Sequence, residues 1–220
     1  MINKNIRIGG VPEHFNTPFH WKEGKEIFEK AGLHIEWHSF PGGTGAMNKA
    51  LRNNEIDIAI LLTEGGVADI CQGNPSKIVR FFVDSPLIWG VHVASHHTEI
   101  NQISQLKNKP FAVSRMGSGS HLMASIMAED LGWEREQAHF EIVGNLDGAR
   151  EAMKHNKAYG FLWEKFTTQP YVENGEFKLI GEVPTPWPCF AIMVRDEYIK
   201  NRGGILKPLF EAINESSSLL

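Results

Sequence analysis

Short apolar segments of strand length alternate with longer amphipathic segments along most of the chain, and this alternation limits the possible folds more than any other feature. The short segments predict strands at residues 6–11, 33–40, 56–62, 78–83, 111–114, 140–143 and 159–163. The longer segments predict helices near residues 21–30, 46–53, 64–72, 121–131 and 145–155. Strands that alternate with helices form right-handed βαβ units. We therefore expect an α/β fold whose sheets are mostly parallel and flanked by helices.

Two stretches interrupt this alternation and divide the chain. Residues 84–91 join its two halves, and residues 183–189 contain three prolines, which exclude a helix there. We interpret both stretches as crossings between two lobes. The first lobe then comprises residues 1–88 with 189–220, and the second comprises residues 92–185.

The composition argues against several classes of protein. A chain of 220 residues that is 42% hydrophobic and 22% charged is typical of an ordinary globular protein with one or two domains. Lys and Arg number 22 against 26 for Asp and Glu, without a basic cluster, so we expect no nucleic-acid partner. No run of about 18 apolar residues predicts a membrane span. No apolar signal-peptide segment precedes the first strand, so we expect a cytoplasmic protein, or a periplasmic or extracellular one if an export signal was removed.

Cysteine and histidine spacing does not predict a metal centre. Cys71 and Cys189 are far apart and outside any Cys-x-x-Cys pair, so two free thiols are expected. The chain has no His-Glu-x-x-His motif. We assign no metal and no cofactor, with a zinc site near Glu13, His14 and His20 as the alternative.

Two glycine-rich loops are the most informative features for function. Each of them, at residues 41–45 (PGGTG) and 115–120 (RMGSGS), follows a predicted strand and precedes a predicted helix. The first N–H groups of a helix are free and lie at its positive end, so they bind anions without any lysine. Thr44 is expected to cap the first helix, and Ser118 or Ser120 the second. The alternative is that both loops are only turns and caps; their joint occurrence at the carboxyl ends of strands favours a ligand site.

Other polar and aromatic residues near these loops each allow two interpretations. Glu64 ends the central strand and either binds an amine or amide N–H of a ligand or stabilises a helix N-terminus. Arg115 either contacts an anion or forms a structural salt bridge. His121 lies in the first turn of a helix, where the dipole favours its neutral form. Trp163 either stacks on a ring of the ligand or packs in the core.

Four segments resemble a known family, the type 2 periplasmic-binding-protein fold. Residues 6–11 resemble its opening strand, and residues 51–59 (LRNNEIDIA) resemble its L…G-E-I-D-h-A element. Residues 103–113 (ISQLKNKPFAV) resemble its entry to the second lobe, and residues 117–120 occupy its ligand-contacting loop. The resemblance covers nearly all of the chain. It is strongest to the branch that contains sulfonate-, nitrate- and taurine-binding proteins and the yeast thiamine-pyrimidine synthase.

The chain also departs from this pattern. The second G-x-x-D-A element is replaced by residues 156–160 (NKAYG), which lack the aspartate. The Cys-Cys-Cys-Phe-Cys cluster of the pyrimidine synthase is absent, which speaks against that activity. The family usually continues beyond the last helices, so we expect the first lobe to be short of a closing segment.

The resemblance implies a binding protein that closes by a hinge on a small anionic or heterocyclic solute in the cleft between two lobes. An ABC permease would be its partner, and no catalytic residue is assigned. The residues expected to contact the solute are Glu13, His14, Phe15, Gly43, Thr44, Thr63, Glu64, Arg115, Ser118, Gly119, Ser120, His121 and Trp163. The alternative is a cytoplasmic biosynthetic enzyme on the same scaffold, of the pyrimidine or menaquinone pathway. Such an enzyme needs a proton-transfer group such as His14, His121 or Glu64.

Overall fold

One five-stranded mixed sheet organises each of two compact units. They are seen in a computed structural model that describes residues 5–134 and 137–220. Unit 1 contains the described residues up to Ser85 together with Trp187–Leu220, and unit 2 contains those of Pro86–Pro186. Residues 1–4 of the predicted first lobe lie outside the described residues.

The secondary-structure elements follow one another closely along the chain. The strands are β1 (Asn5–Gly10), β2 (His34–Ser39), β3 (Ile58–Leu62), β4 (Ser76–Val83), β5 (Ile88–Ala94), β6 (Pro110–Val113), β7 (His139–Ile142), β8 (Gly160–Glu164), β9 (Phe177–Pro184) and β10 (Phe190–Arg195). The α-helices are α1 (Lys22–Lys30), α2 (Gly43–Arg52), α3 (Thr63–Cys71), α4 (Gly119–Asp130), α5 (Leu146–Lys154), α6 (Lys165–Glu173), α7 (Asp196–Arg202) and α8 (Leu206–Ser218). Short 3-10 helices lie at His14–Phe19, Ile103–Leu106 and Gly203–Ile205.

In unit 1 the sheet has the strand order β2-β1-β3-β10-β4. β1 is parallel to β2 and β3, whereas β10 is antiparallel to β3 and β4, so four strands run in one direction. The nearly continuous apolar sequence of β3 predicts a strand covered on both faces, and its residues Ile58, Ala59 and Ile60 are at most 1% exposed. One buried cluster beside β3 contains Met47, Ala50, Leu51, Ile56, Ala59, Leu61 and Met193.

Unit 2 has a sheet with the order β7-β6-β8-β5-β9. β6 is parallel to β7 and β8, and β5 is antiparallel to β8 and β9. Four of the five strands therefore again run in one direction. One buried cluster of this unit contains Ala94, Ala112, Ala149, Ala152, Met153, Ala158, Phe161 and Phe177.

A buried carboxylate connects the last strand of unit 1 to the first. Asp57 accepts hydrogen bonds from Arg7 of β1 at 2.6 Å and 3.0 Å and from Arg195 of β10 at 2.9 Å. Burial raises the pKa of Asp57, but hydrogen bonds from Arg7 and Arg195 outweigh it and lower the pKa below its ordinary value. The return segment is thereby tied to the beginning of the chain.

The predicted α/β fold with mostly parallel sheets is confirmed. Three strands escape the sequence prediction, namely β5, β9 and β10. No helix separates β4 from β5 or β9 from β10, and α6, which precedes β9, is not among the predicted helices, so the alternation of strands and helices does not reveal these three strands. The helix predicted near residues 46–53 begins earlier, at Gly43, where the φ of +70° favours a glycine.

Candidate functional site

The first glycine-rich loop leaves the N-terminus of α2 open. Gly42 is its N-cap and offers no side-chain hydrogen bond. The backbone N–H of Gly43 donates to the carbonyl of Phe40 at 3.0 Å, but those of Thr44 and Gly45 have no acceptor among the residues the structure describes. Two N–H groups at the positive end of this helix are thus available to an anion.

Thr44 does not cap α2, so the prediction of that role is wrong. Because α2 begins before Thr44, the residue lies inside the helix. Its hydroxyl accepts a hydrogen bond from the backbone N–H of Leu62 at 3.2 Å. A Cβ added to Gly65 would lie 2.5 Å from the methyl carbon of Thr44. Only a glycine therefore fits at position 65 without a steric clash. Thr44 therefore ties the start of α2 to the junction of β3 and α3.

Thr63 and Glu64 form that junction. The hydroxyl of Thr63 donates to the carbonyl of Pro188 at 2.6 Å, so this side chain already holds the return segment. Oε2 of Glu64 accepts a hydrogen bond from the Trp187 indole N–H at 3.0 Å, whereas its Oε1 is buried and has no partner in the described part of the chain. Burial raises the pKa of Glu64 despite the opposing effects of its own N–H and of Trp187.

The 3-10 helix after β1 carries three more residues of the predicted site. Glu13 and His14 are exposed. Phe15 is half-buried, with its ring centroid 4.3 Å from that of Phe190 and 6.2 Å from that of Phe82. Phe15 is thus anchored in an aromatic cluster, while Glu13 and His14 face solvent at the carboxyl end of β1.

The second glycine-rich loop is stabilised by its own serines. Ser118 caps α4, as predicted, by accepting from the N–H of His121 at 3.4 Å. Ser120 has a different role, since its hydroxyl accepts from the N–H of Ser114 at 3.0 Å and lies 3.0 Å from that of Ser118. The backbone N–H groups of Gly119 and Ser120 have no acceptor among the described residues. The serine hydroxyls are therefore occupied, and the backbone offers the free donors.

His121 and Arg115 flank this second pair of N–H groups. Nδ1 of His121 lies 3.1 Å from the N–H of Gly117 and accepts its hydrogen bond. Burial also lowers the pKa of His121, so the ring is neutral there as predicted. Arg115 is exposed and makes no side-chain hydrogen bond or ion pair with any residue the structure describes.

Side chains also cap the other two helices that follow strands at this edge of unit 2. Asn145 accepts from the N–H of Gly148 at 2.9 Å and caps α5, as its position predicts. Glu164 accepts from the N–H groups of Phe166 and Thr167 at 2.9 Å and 2.7 Å. The sequence does not predict this cap, because glutamate is not among the usual N-cap residues.

Apolar side chains also line the carboxyl ends of the parallel strands in unit 2. Ile142 ends β7, Met116 follows β6, and Phe166 follows β8, and they are 61%, 55% and 73% exposed. Trp163 is half-buried instead and stacks on Phe161 with ring centroids 5.4 Å apart. The Trp163 ring therefore packs partly against the core of unit 2.

Two classes of feature are absent from the described residues. Residues 5–134 and 137–220 contain no group of three His, Cys, Asp or Glu side chains that could hold a metal ion. No helix within these ranges is long and apolar enough to cross a membrane.

Comparison with known proteins identifies the family. The family described as Ca3427-like PBP matches residues 89–183. The CA3427 structure from Candida albicans, reported to define a family with the generic periplasmic-binding-protein fold, is 30% identical. The match covers 96% of this chain and 70% of that chain, with a TM-score of 0.83. No curated protein matches the sequence.

More distant structures share the fold. The aliphatic sulphonate-binding protein SsuA from Escherichia coli is 17% identical over 98% of this chain and 69% of that chain, with a TM-score of 0.80. PhnD1 from Prochlorococcus marinus, solved with methylphosphonate, is 16% identical over 98% of this chain and 83% of that chain, with a TM-score of 0.62. The chain is thus a member of the CA3427 family and has the type 2 periplasmic-binding-protein fold.

Proposed function

We propose that this protein binds a small solute through an acidic group of that solute. The backbone N–H groups of Thr44 and Gly45 in unit 1, and of Gly119 and Ser120 in unit 2, would hold this group. The observation that carries the proposal is that α2 and α4 each begin directly after a glycine-rich loop at the carboxyl end of a strand and keep two backbone N–H groups without acceptors among the described residues.

Both open ends lie where this class of fold supports ligand binding. In open α/β sheets, ligands bind beyond the carboxyl ends of the parallel strands. α2 follows β2, and α4 follows β6, each after a glycine-rich loop. An oxyanion at these ends gains charge-assisted hydrogen bonds and the favourable helix dipole.

The remaining part of the solute would contact side chains of unit 2. The exposed guanidinium of Arg115 can add a two-pronged contact to an acidic group. The exposed apolar side chains of Met116, Ile142 and Phe166 suit an alkyl or ring portion. An organic acid fits these residues better than an inorganic anion does.

The transport role is a further part of the proposal. Solved relatives of this fold include components that bind sulfonates and phosphonates. By analogy, the solute would be enclosed by hinge closure and delivered to an ABC permease. Glu13, His14, Phe15 and Trp163 are proposed to contact the enclosed solute.

Native mass spectrometry of the purified protein tests the binding function. We expect a non-covalently bound small acid that dissociates chemically unchanged on denaturation. Binding of this solute and of inorganic sulfate is then measured by calorimetry in Gly45→Asp and Gly45→Asn. A Cβ on Gly45 meets no atom within 4 Å, so both variants should fold.

The two variants differ only in charge at the open end of α2. Two like charges about 4 Å apart repel by roughly 1–4 kcal/mol at the dielectric constants of water and of protein surfaces. Gly45→Asp should therefore weaken binding about tenfold or more, while Gly45→Asn retains it. Equal affinities in the two variants would remove α2 from the site, and conversion of the solute would favour an enzyme.

A further inference from the structure

A polar cavity of about 360 Å³ lies in unit 1, at the edge of the sheet opposite the open end of α2. Residues at the beginnings of β1 and β3, at the end of the antiparallel strand β10 and in α7 line it, whereas α2 follows the carboxyl end of β2. Strands of five or six residues separate the two edges by roughly 20 Å. The cavity is therefore distinct from the solute site proposed above.

The buried charges that line this cavity do not balance. Arg7 and Arg195 both pair with a single carboxylate, that of Asp57. Arg195 and Asp57 are buried, and Arg7 is half-buried. Two guanidinium groups therefore share one negative charge, and one positive charge remains in excess. A charge that is removed from water is costly unless a counter-charge is paired with it.

The other carboxylates of the cavity compensate this excess only weakly. Glu197 lies 3.3 Å from Nη1 of Arg195, and Glu36 also lines the cavity. Their side chains are 70% and 55% exposed, so water and salt screen both charges. Arg202, which is half-buried, adds a further guanidinium group to the lining. The buried part of the cavity is thus positive and favours an anion.

Tyr198 of α7 provides a second, independent observation. This residue lines the cavity and is 5% exposed, and its hydroxyl oxygen is buried without a hydrogen-bond partner in the described part of the chain. Buried polar atoms are nearly always paired in folded proteins, so this hydroxyl requires an explanation. Burial and the charge of Asp57 raise the pKa of Tyr198 despite the opposing effect of Arg202, so the phenol stays protonated and can donate. A water molecule would satisfy the hydroxyl but would not balance the charge.

We propose that this cavity is a second binding site, which holds the phosphate or carboxylate group of a small molecule between the guanidinium groups of Arg195 and Arg202 and the hydroxyl of Tyr198. Guanidinium groups bind both kinds of oxyanion in a two-pronged geometry. The volume of about 360 Å³ falls within the range of small-molecule sites, roughly 300–1,000 Å³. The cavity therefore has room for an organic portion beside the anionic group.

Calorimetry with inorganic phosphate and with acetate tests this site. The starting protein is Gly45→Asp, because this substitution weakens the anion site proposed at α2. At least one of the two anions should still bind. Addition of Arg202→Gln should weaken that binding about tenfold, the usual scale of a hydrogen bond to a charged group, and Tyr198→Phe should weaken it about threefold through the loss of one neutral donor.

The matched control is Lys200→Gln, which removes the same charge from the same helix at an exposed position outside the described lining of the cavity. It should change the affinity less than about twofold, because solvent screens an exposed lysine. Binding of neither anion, or equal affinities in Arg202→Gln and Lys200→Gln, would overturn the inference. Since the cavity and α2 lie at opposite edges of the sheet, either result leaves the proposed function intact.

The ligand-free protein gives a further readout that separates binding from a structural role. Tyr198→Phe removes a buried hydroxyl that has no partner in the described residues, so the melting temperature should stay the same or rise. A lower melting temperature would mean that the hydroxyl serves the fold itself, and would also overturn the inference.

Discussion

Replacement of Asp57 by Asn is the sharpest test of how unit 1 is held together. Asp57 is 5% exposed and accepts from the side chains of Arg7 and Arg195, the second of which is also buried. The substitution keeps the size of the side chain but removes its charge. Two guanidinium groups then share one neutral acceptor inside the sheet.

The structure sets the expected magnitude. Removal of one partner from a buried ion pair typically costs about 3–5 kcal/mol. The side chain of Arg7 is 31% exposed and regains some hydration, so the lower end, about 3 kcal/mol, is expected. This is a large fraction of a typical stability of roughly 5–15 kcal/mol.

The pH dependence of this loss follows from the lowered pKa of Asp57. Because folding lowers the pKa of Asp57, its charged form stabilises the folded state at pH values above the unfolded-state pKa, which is about 3.9. This stabilisation is lost as the pH falls through the lower pKa of the folded state. The difference between wild type and Asp57→Asn should be constant near neutral pH and shrink in acid.

Urea unfolding followed by circular dichroism measures the difference. Glu55→Gln, an exposed glutamate two residues away, is the control and should change stability by less than about 0.5 kcal/mol. A loss below about 1 kcal/mol for Asp57→Asn, or one that persists unchanged at low pH, would refute the account of this ion pair.

Three further substitutions test local features. Glu64→Gln should raise the melting temperature of the ligand-free protein at pH 7, because burial raises the pKa of Glu64 and so penalises its charged form. This gain in melting temperature should fade near pH 4, where the carboxyl group is protonated. A lower melting temperature at pH 7 would contradict the prediction. Gly65→Ala should cost about 1–3 kcal/mol by overlap with Thr44, measured by thermal unfolding, and Thr44→Ser should rescue it. Thr168→Val should lower the free energy of unfolding in urea by about 1–3 kcal/mol, because Nε2 of the buried His92 loses its hydrogen-bond partner at 2.9 Å. An unchanged free energy of unfolding would contradict that role of Thr168.

Local sequence patterns predict the fold class and seven of the ten strands in the described part of the chain. The apolar run of β3 and the capping residues Ser118 and Asn145 act over a few neighbouring positions, and each is found where it was expected. β5, β9 and β10 are not predicted, because no helix separates β4 from β5 or β9 from β10 and the alternation of strands and helices does not mark them.

The site was harder to predict because long-range contacts decide which groups remain available. The hydroxyls of Thr63 and Ser120 are attractive ligand donors in the sequence, yet Pro188 and Ser114 already occupy them. Conversely, no local pattern indicates that Trp187 would bind one oxygen of Glu64 and leave the other free.

Backbone amide NMR of the isotope-labelled protein, titrated with its co-purified solute, tests the binding proposal most directly. We predict large downfield shifts for the amide protons of Thr44, Gly45, Gly119 and Ser120, since these groups gain a charged acceptor. The amides of Gly148 and Thr167, which are already bonded within their own helix ends, should move much less. Saturable binding that leaves the first four amides unchanged would contradict the proposal.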